Sequence, residues 1–543
     1  MCKHWAKIYI FIVFACIGLF GCLLGGAFGQ GFAVSVGQVT SNSAVTFVSV
    51  DGPFFMAATG CSDANNGLSA GSPWCTPNHS LNCGDVIIAA AGNYSPMATW
   101  GTVSNCPSTT AGIDGIGGIN FAILLCAGNV GSCQVNHPTG HTFAIDVNNN
   151  NWAVEGWLAS EGYISGASGF GFTLHSCSSL IHHVAFINNI STFNAAGFTT
   201  NSCGANGGPG FGVDYYAWLG NIAQDSAGRN DGFWDGAFDS IGEKNFDTVS
   251  GTHILIDGNF SYNNQQTTGG QTDGECYMLD TPDALDYTQT IVFKNNISAI
   301  CERFGQQYFY QHENVNTGMT LKAYQQTLYG GNIVAFGNNP SGANYGDINI
   351  ASTSGTPPWT VTIQNNLVKE KLANPTGQTG SNDYTLVIPT NFSGWTLGGS
   401  GNQNFLKGLA SNCGLAVCDS GDNAATNGTL AALGTEIYTD PAFNNLSDLV
   451  SSQIGTPSCG SFSMTTACMG WNNTTQSAAN PSLIYDLTPT ASGTSGKGYQ
   501  PPGACAADSD YPTWLKGVNV LIWNSTTSTI NELSGLTNKP CGV

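Results

Sequence analysis

A repeat of 32 to 38 residues runs through the middle of the chain and limits the folds that it can adopt. Each copy has a short run of β-branched or aromatic residues, then Asn or Gly, then Asn, then an apolar residue. The second Asn recurs at positions 189, 221, 259, 296, 332 and 366, in steps of 32, 38, 37, 36 and 34 residues. Repeats of roughly 20–50 residues are typical of solenoids and propellers.

The pattern inside each repeat separates these two architectures. A propeller blade needs four antiparallel strands joined by hairpin turns. Each repeat here has one strong strand, a turn at Asn, a short apolar piece and a variable loop, which is one coil of a parallel β-helix. We expect each Asn to stack on the Asn of the next coil and to satisfy backbone groups at the bend. The sequence therefore predicts an all-β, right-handed parallel β-helix, a solenoid with an Asn ladder and long loops.

The composition agrees with such a fold and excludes one class of partner. Only 9% of the residues are charged, and 71 are Gly, which tolerates the left-handed backbone of tight turns. The chain has 13 basic and 34 acidic residues, so its net charge of -21 repels nucleic acid. An acidic polymer would also be repelled unless local cations or a metal ion intervened.

The first 29 residues have the pattern of a secretory signal peptide. Lys3 and Lys7 precede an apolar run over residues 8–24, and small residues at 27 and 29 mark a cleavage site. Cleavage removes Cys2, Cys16 and Cys22 and leaves 16 of the 19 cysteines, an even number. We expect these to form disulfides, by neighbour pairing such as Cys126 with Cys133, in a secreted or cell-surface protein.

Three segments follow from these patterns. Residues 1–29 are the signal peptide, 30–450 the β-helix, and 451–543 a disulfide-rich C-terminal coil that caps the open end of the helix. No stretch of the mature chain is long and apolar enough to span a bilayer, and we expect a monomer.

The region before the repeat resembles the entry coil of the pectate-lyase-like right-handed β-helix superfamily. The resemblance rests on residues 63–69, on Ser72 to Thr76, and on Gly84-Asp85 followed by Gly92 to Tyr94. Residues 439–443 and 487–498 are similar to the exit of the same proteins. The likeness covers roughly residues 50 to 500 and implies the fold more firmly than any activity.

Two acidic clusters stand out in this weakly charged chain. On an extended strand, Asp231, Asp235 and Asp239 share one face, and so do Asp273 and Glu275. The clusters are about one coil apart, so stacking would bring them together. Grouped carboxylates favour a hard cation, and Ca²⁺ is the natural candidate. The predicted ligands are Asp231, Asp235, Asp239, Asp273, Glu275 and Asp280. Turn formation by Asp-Gly is the alternative explanation.

The same clusters are similar to those of one enzyme family. Residues 230–235 resemble the calcium-binding stretch of the family 9 pectate lyases, and residues 273–279 resemble the next coil of that family, which carries its catalytic lysine. Met278 stands at the position that matches this lysine. The resemblance therefore implies calcium binding but requires another base.

Cations close to the clusters are the candidates for that base. Arg229 and Arg303 are the only arginines of the mature chain, and Lys294 lies in the same repeat as Arg303. Lys or Arg suits this role because a cation also attracts a polyuronate. We predict Arg303 first, then Lys294 and Arg229. Tyr308, Tyr310 and His312 are candidates to line a sugar groove.

Three functions remain open. The first is a Ca²⁺-assisted lyase that cleaves an extracellular acidic polysaccharide by β-elimination. The second is a glycoside hydrolase that uses paired carboxylates among Asp231, Asp235, Asp273 and Glu275. The third is a non-catalytic adhesin or structural protein. The pair His182-His183 has no assigned role and is expected at a coil edge.

Overall fold

The computed structural model describes a long stack of β-strand coils. The residues it describes are 45–47, 51–106, 120–128, 130–136, 143–160, 169–176, 179–192, 194–202, 212–224, 226, 231–237, 243–264, 275–280, 287–301, 306–310, 319–324, 327–329, 345–352, 360–369, 383–388, 395–398, 402–407, 417–419, 440–445, 471–472, 477–478, 486–493, 495, 497–498, 512–515 and 521–532.

The strands are short and follow one another closely along the chain. In the first half they are β1 (Val45–Phe47), β2 (Pro53–Met56), β3 (Leu81–Asn82), β4 (Val86–Ala89), β5 (Gly92–Tyr94), β6 (Val103–Ser104), β7 (Ala122–Cys126), β8 (Cys133–Asn136), β9 (Phe143–Val147), β10 (Trp152–Glu155), β11 (Trp157–Ser160), β12 (Phe170–Ser176), β13 (Ile181–Ile187), β14 (Ile190–Thr192), β15 (Ala196–Ser202), β16 (Val213–Leu219), β17 (Ile222–Gln224), β18 (Asp231–Ala237), β19 (Thr252–Asp257) and β20 (Phe260–Asn264).

In the second half they are β21 (Tyr277–Asp280), β22 (Thr290–Lys294), β23 (Ile297–Cys301), β24 (Gln306–Tyr310), β25 (Thr320–Tyr324), β26 (Thr327–Tyr329), β27 (Tyr345–Ser352), β28 (Thr360–Gln364), β29 (Leu367–Lys369), β30 (Asp383–Ile388), β31 (Trp395–Leu397), β32 (Phe405–Lys407), β33 (Val417–Asp419), β34 (Phe443–Asn445), β35 (Trp471–Asn472), β36 (Ser477–Ala478), β37 (Asp486–Pro489), β38 (Leu521–Asn524) and β39 (Thr529–Glu532). A 3-10 turn covers Thr513–Leu515.

Three parallel sheets run along the length of the stack. The first sheet has 11 strands, in the order β2-β4-β7-β10-β13-β16-β19-β22-β25-β28-β31. The second has 10 strands, from β5 to β32, and the third has nine, from β9 to β33. Each complete coil contributes one strand to each sheet in turn, as β10, β11 and β12 do. Parallel crossovers of this kind are right-handed. The predicted fold class, a right-handed parallel β-helix, is confirmed.

A ladder of buried asparagines joins the bends between the first and second sheets. The Asn189 backbone N–H donates to Asn221 Oδ1, the Asn221 N–H to Asn259 Oδ1, and the Asn259 N–H to Asn296 Oδ1, each at 2.9 Å. Each of these three side chains also donates to a carbonyl in the preceding coil, as Asn221 Nδ2 does to Phe186 O at 2.8 Å. The predicted ladder is confirmed at these positions; Asn332 lies outside the described residues.

The residue before each ladder Asn explains why Asn or Gly is found there. Asn188, Gly220, Gly258, Asn295 and Asn365 have φ values of 53°, 63°, 68°, 56° and 56°. This left-handed backbone is strained for most residues but is tolerated by Gly and Asn. In the repeating dipeptide, the first residue thus forms the bend, and the second residue, Asn, provides the side-chain amide of the ladder.

The interior is filled by stacked columns of side chains. Phe172, Phe198, Phe233 and Tyr277 stand on four successive third-sheet strands, with ring centroids 4.8, 4.7 and 4.8 Å apart and nearly parallel planes. These spacings match the distance between neighbouring strands of a sheet. The core is therefore continuous along the stack, and each coil depends on its neighbours for burial.

Three disulfides cross-link segments of the first coils. They join Cys61 to Cys75, Cys83 to Cys106 and Cys126 to Cys133. The predicted pairing of Cys126 with Cys133 is confirmed. Closed loops of this kind restrict the unfolded chain, and such bonds persist in oxidising compartments.

The outer face of the first sheet is covered by segments from the two ends of the chain. Trp514, Leu515 and Ile530 pack in one buried cluster with outward residues such as Leu255 and Val292. Strands β38 and β39 form a small antiparallel sheet with β1. The described C-terminal residues lie along the flank of the β-helix, and the expected cap formed by residues 451–543 stays a prediction.

No helix among the described residues is long and apolar enough to cross a membrane.

Candidate functional site

The strands that carry the predicted site residues are neighbours in the third sheet. Asp231 and Asp235 lie in β18, Asp280 in β21, and Tyr308 and Tyr310 in β24. Strand β18 pairs with β21, and β21 pairs with β24. The topology thus places the two acidic segments and the aromatic segment on three consecutive rungs of one sheet.

The register of these strands sets the spacing between the segments. Asp235 pairs with Leu279, and Leu279 pairs with Tyr308. The Gly232 N–H donates to the carbonyl of Glu275 at 2.9 Å, which fixes the start of β18 against the segment before β21. Asp235 therefore lies three residues along its strand from the point where Glu275 is held.

A register shift interrupts the alternation that the sequence suggested for β18. Thr199 pairs with Trp234 and Asn201 pairs with Ala237, so Asp235 and Gly236 stand opposite the single residue Thr200. An extra residue of this kind bends the strand and changes the direction of the side chains that follow. The regular alternation of β18 is therefore interrupted at Asp235. Asp239 lies outside the described residues, so the shared face of Asp231, Asp235 and Asp239 stays a prediction.

Glu275 is the one predicted metal ligand whose side chain the structure describes, and it is completely buried. Gly232, beside it, has no room for a Cβ, which would collide with Ser261 Oγ and come within 2.7 Å of Cys276 O. The coils are thus in close contact where the two acidic segments meet. A carboxylate in such a position belongs to the packed interior of the sheet rather than to an open groove.

The remaining predicted site residues lie outside the described residues or are described without their side chains. Arg229, Asp239, Asp273, Arg303 and His312 lie outside them. For the members that lie in β18, β21 and β24, the strand position is described without the side chain: Asp231, Asp235, Asp280, Tyr308 and Tyr310. In the part of the chain that the structure describes, no group of three or more His, Cys, Asp or Glu residues could hold a metal ion.

Lys294 lies away from the other candidates. It is the last residue of β22 in the first sheet, it is completely buried, and its Nζ is 3.4 Å from Asp257 Oδ2. Asp257 is its strand partner on β19 and is also fully buried. This ion pair gives Lys294 a structural role, and its burial argues against contact with a polymer.

Met278 occupies an apolar environment in the middle of the third sheet. It pairs with Trp234 on one side and Gln307 on the other. Its side chain belongs to a small cluster with Trp234, Phe170 and Ala196, separate from the main core. A lysine ammonium at this position would have to be desolvated, so the surroundings suit the methionine that is present.

Sequence reasoning missed a buried acid–histidine pair on the third sheet. His175 Nδ1 is 3.0 Å from Asp146 Oδ2, and the side chains are 14% and 6% exposed. Burial raises the pKa of Asp146, and the hydrogen bond and charge of His175 lower it in part. These residues are 29 positions apart and carry no local motif. Only the pairing of β9 with β12 would have indicated their contact.

Comparisons with known proteins give matches to solved structures. The pectate lyase Pel9A structure has 13% identity and a TM-score of 0.33 over 62% of this chain and 81% of the other. The GH136 lacto-N-biosidase from Eubacterium ramulus has 10% identity and a TM-score of 0.37 over 66% and 63%. A rhamnogalacturonan lyase has 12% identity and a TM-score of 0.28 over 73% and 92%.

These matches are low in both identity and TM-score, and no argument about this chain is drawn from them. The assignment of a parallel β-helix rests on the sheet topology of this chain itself. No protein-family model matches the sequence. No curated protein matches it either.

Proposed function

We propose that this chain is a secreted protein that acts on an extracellular acidic polysaccharide at the third sheet, as a Ca²⁺-assisted lyase. The observation that carries the proposal is the adjacency of β18, β21 and β24 in that sheet. These strands and the sequence directly around them contain the acidic clusters and both arginines of the mature chain. The two arginines favour an anionic ligand at this position.

The opposite flank offers less room for a polymer. The outer face of the first sheet is buried under Trp514, Leu515 and Ile530 over the coils from β4 to β22. A chain of sugars needs an open surface that crosses several coils. The third sheet and its loops are therefore the better place for the proposed groove, with Tyr308, Tyr310 and His312 at its far side.

The proposed chemistry divides the roles among this chain's own residues. Asp231, Asp235, Asp239, Asp273 and Asp280 would hold a Ca²⁺ ion, which would neutralise the uronate carboxylate and acidify the neighbouring C–H bond. Arg303 would take the proton from the carbon next to the carboxylate. The electron pair would form the new double bond as the bond to the glycosidic oxygen breaks; that oxygen would gain a proton from water, and Arg303 would return its proton to the solvent. Arg229 would bind a neighbouring carboxylate.

The test is a panel of acidic and neutral polysaccharides, with Ca²⁺ or with a chelator. A lyase produces an unsaturated uronate that absorbs in the ultraviolet, together with new reducing ends. We expect both signals with Ca²⁺ and neither with chelator. Reducing ends without absorbance would replace the lyase by a hydrolase, and the carboxylates of β18 would then be the residues to change. Neither signal across the panel would favour a binding or structural protein.

A further inference from the structure

A column of aromatic and imidazole rings lies on the outer face of the first sheet. His183, Tyr215 and His253 stand in three successive coils, each directly before a paired strand residue. His183 stacks on Tyr215 with ring centroids 4.6 Å apart, and Tyr215 stacks on His253 at 3.7 Å. His183 and Tyr215 have φ values of 54° and 45°, so the backbone turns out of the sheet at this column.

Trp514 closes this column from outside. Its ring meets His183 and Tyr215 edge-on, with centroids 5.7 and 5.6 Å away. Its Nε1 donates to the Thr252 carbonyl at 2.9 Å, and its own carbonyl accepts from Asn120 Nδ2 at 2.7 Å. We call residues 512–515 the strap. Four coils of the β-helix thus hold one tryptophan from near the C-terminus.

Docking of the strap favours the uncharged forms of His182 and His183. Trp514 of the strap contacts His183, and His183 contacts His182. His182 and His183 face each other with their Nδ1 atoms 2.8 Å apart, so one nitrogen donates and the other accepts. Protonation of both rings would place two donors and two positive charges in that contact. His182 also lies against the Phe246 ring at 3.9 Å, and His183 is 7% exposed. Water therefore does little to stabilise an added charge.

The other titratable groups around the column are already engaged. Asp214 binds His253 Nδ1 at 3.0 Å and accepts from the Tyr287 hydroxyl at 3.0 Å. Asp247 accepts from the Tyr215 hydroxyl at 3.0 Å. Glu243, in the segment that carries Asp247, is buried beside Val213. The strap itself has no titratable side chain among residues 512–515.

Burial lowers the pKa of His182 to about 4, although Asp247 acts in the opposite direction. Burial, with the charges of His182 and His253, lowers the pKa of His183 well below its usual value. On release of the strap, the His183 ring would lose the cover of Trp514, and an imidazole in water titrates near 6.5. A base whose pKa is lowered on docking stabilises the docked form above about pH 6.5 and loses that contribution as the pH falls toward 4.

We propose that the strap is an acid-released cover, held down at neutral pH by the uncharged pair His182–His183. Protonation of His183, which contacts both Trp514 and His182, weakens docking by up to about tenfold for each pH unit below about 6.5. Release would expose the apolar outer face of the first sheet, including Leu219 and Leu255, while the Asn ladder and the inner core stay intact. This inference does not depend on any activity toward carbohydrate.

The test is hydrogen exchange of the full-length, oxidised protein between pH 7.5 and 4.5, read on the peptide that contains residues 512–515 and corrected for intrinsic exchange rates. We expect that peptide to lose at least tenfold in protection at pH 4.5, while peptides from β13 and β16 keep theirs. Acid-stable protection of residues 512–515, or loss only together with the β-helix, would overturn the proposal.

Variants separate the histidines from other acid effects. The pair His182→Gln and His183→Asn removes both titrations, and Asn fits the left-handed φ at 183 as Asn151 does in the coil below. We expect the double variant to keep the strap protected at pH 4.5. His79→Gln, a change to a histidine in the entry coil, should respond to acid as the wild type does. If the double variant lost as much protection of residues 512–515 at pH 4.5 as the wild type does, the proposal would be refuted.

Trp514→Ala supplies the reference for a released strap. It should leave residues 512–515 unprotected at every pH while the circular dichroism of the β-helix is kept. If the double histidine variant does not fold, His183→Asn alone decides the question by the midpoint of release. An unchanged midpoint in His183→Asn would count against the proposal, and a shift to lower pH would support it.

Discussion

Asp257 and Lys294 form an ion pair inside the protein, with Oδ2 and Nζ 3.4 Å apart and both side chains fully buried. They are strand partners in consecutive coils of the first sheet. Two charges taken out of water are tolerated together, but either one alone is costly. Each charge therefore needs the other to remain buried, although the pair as a whole adds little to the free energy of folding.

Removal of one partner should destabilise the protein strongly. We expect Lys294→Met to lower the free energy of unfolding by about 3–5 kcal/mol, because the buried Asp257 carboxylate loses the ammonium paired with it. The double variant Asp257→Leu, Lys294→Met should recover most of that loss. Guanidinium unfolding at pH 7 measures both values. A double variant as unstable as the single one would show that the pair does not act as a unit.

The Asn ladder predicts a second, local sensitivity. Asn221→Ala removes the acceptor for the Asn189 N–H and the donor to the Phe186 carbonyl, which leaves buried polar groups unsatisfied. We expect a loss of about 2–5 kcal/mol, from the cost of roughly two such groups. Thermal or denaturant unfolding measures it. Asn66→Ala, at an exposed turn of the entry coil, is the control and should cost less than about 1 kcal/mol.

Two of the Asp–His pairs, Asp146–His175 and Asp63–His79, predict opposite pH dependences. Burial raises the pKa of Asp146, so its contribution to stability is present below about pH 3.8 and is lost as the pH rises through the raised value. Burial also acts to raise the pKa of Asp63, but backbone N–H groups of Cys75 and Thr76, with His79, lower it overall. Its contribution is present above about pH 3.8 and is lost in acid.

Isosteric changes test these signs by unfolding free energy against pH. Asp146→Asn should gain stability relative to the wild type at pH 7, and the gain should shrink toward pH 4. Asp63→Asn should lose stability at pH 7, and the loss should shrink at low pH. The same sign for both variants at pH 7 would contradict the assignment.

The proposed base predicts a distinct kinetic signature. Arg303→Ala should reduce the rate of appearance of unsaturated product at least about 100-fold, which is typical for loss of a general base. The wild-type rate should rise with pH, because arginine accepts a proton only when deprotonated. Lys369→Ala, which removes a cation paired with Asp440 on the second sheet, is the control and should leave the rate within about twofold. Full activity of Arg303→Ala would exclude the arginine as base.

The repeat by itself determined the fold. The ladder Asn, the Gly or Asn before it, and the apolar run of each coil are local requirements, and each is visible within eight residues of sequence. Stacking then follows, because a coil can satisfy its bend and bury its apolar side chains only against an equivalent coil. The disulfide of Cys126 with Cys133 was predictable for a different reason, because the two cysteines are neighbours in sequence.

The surroundings of individual side chains were decided only by tertiary structure. From the sequence alone, Lys294 is a candidate free cation. In the structure it is paired with Asp257, which lies in the neighbouring coil. From the sequence, His182 and His183 are an isolated pair at a coil edge, but in the structure His183 is buried with Trp514 against it, and His182 is half-buried against Phe246. The bulge at Asp235 depends on how many residues β15 and β18 place between two matched rungs. Periodicity specifies which residues share a sheet, whereas burial and charge pairing depend on contacts between segments that are far apart in the chain.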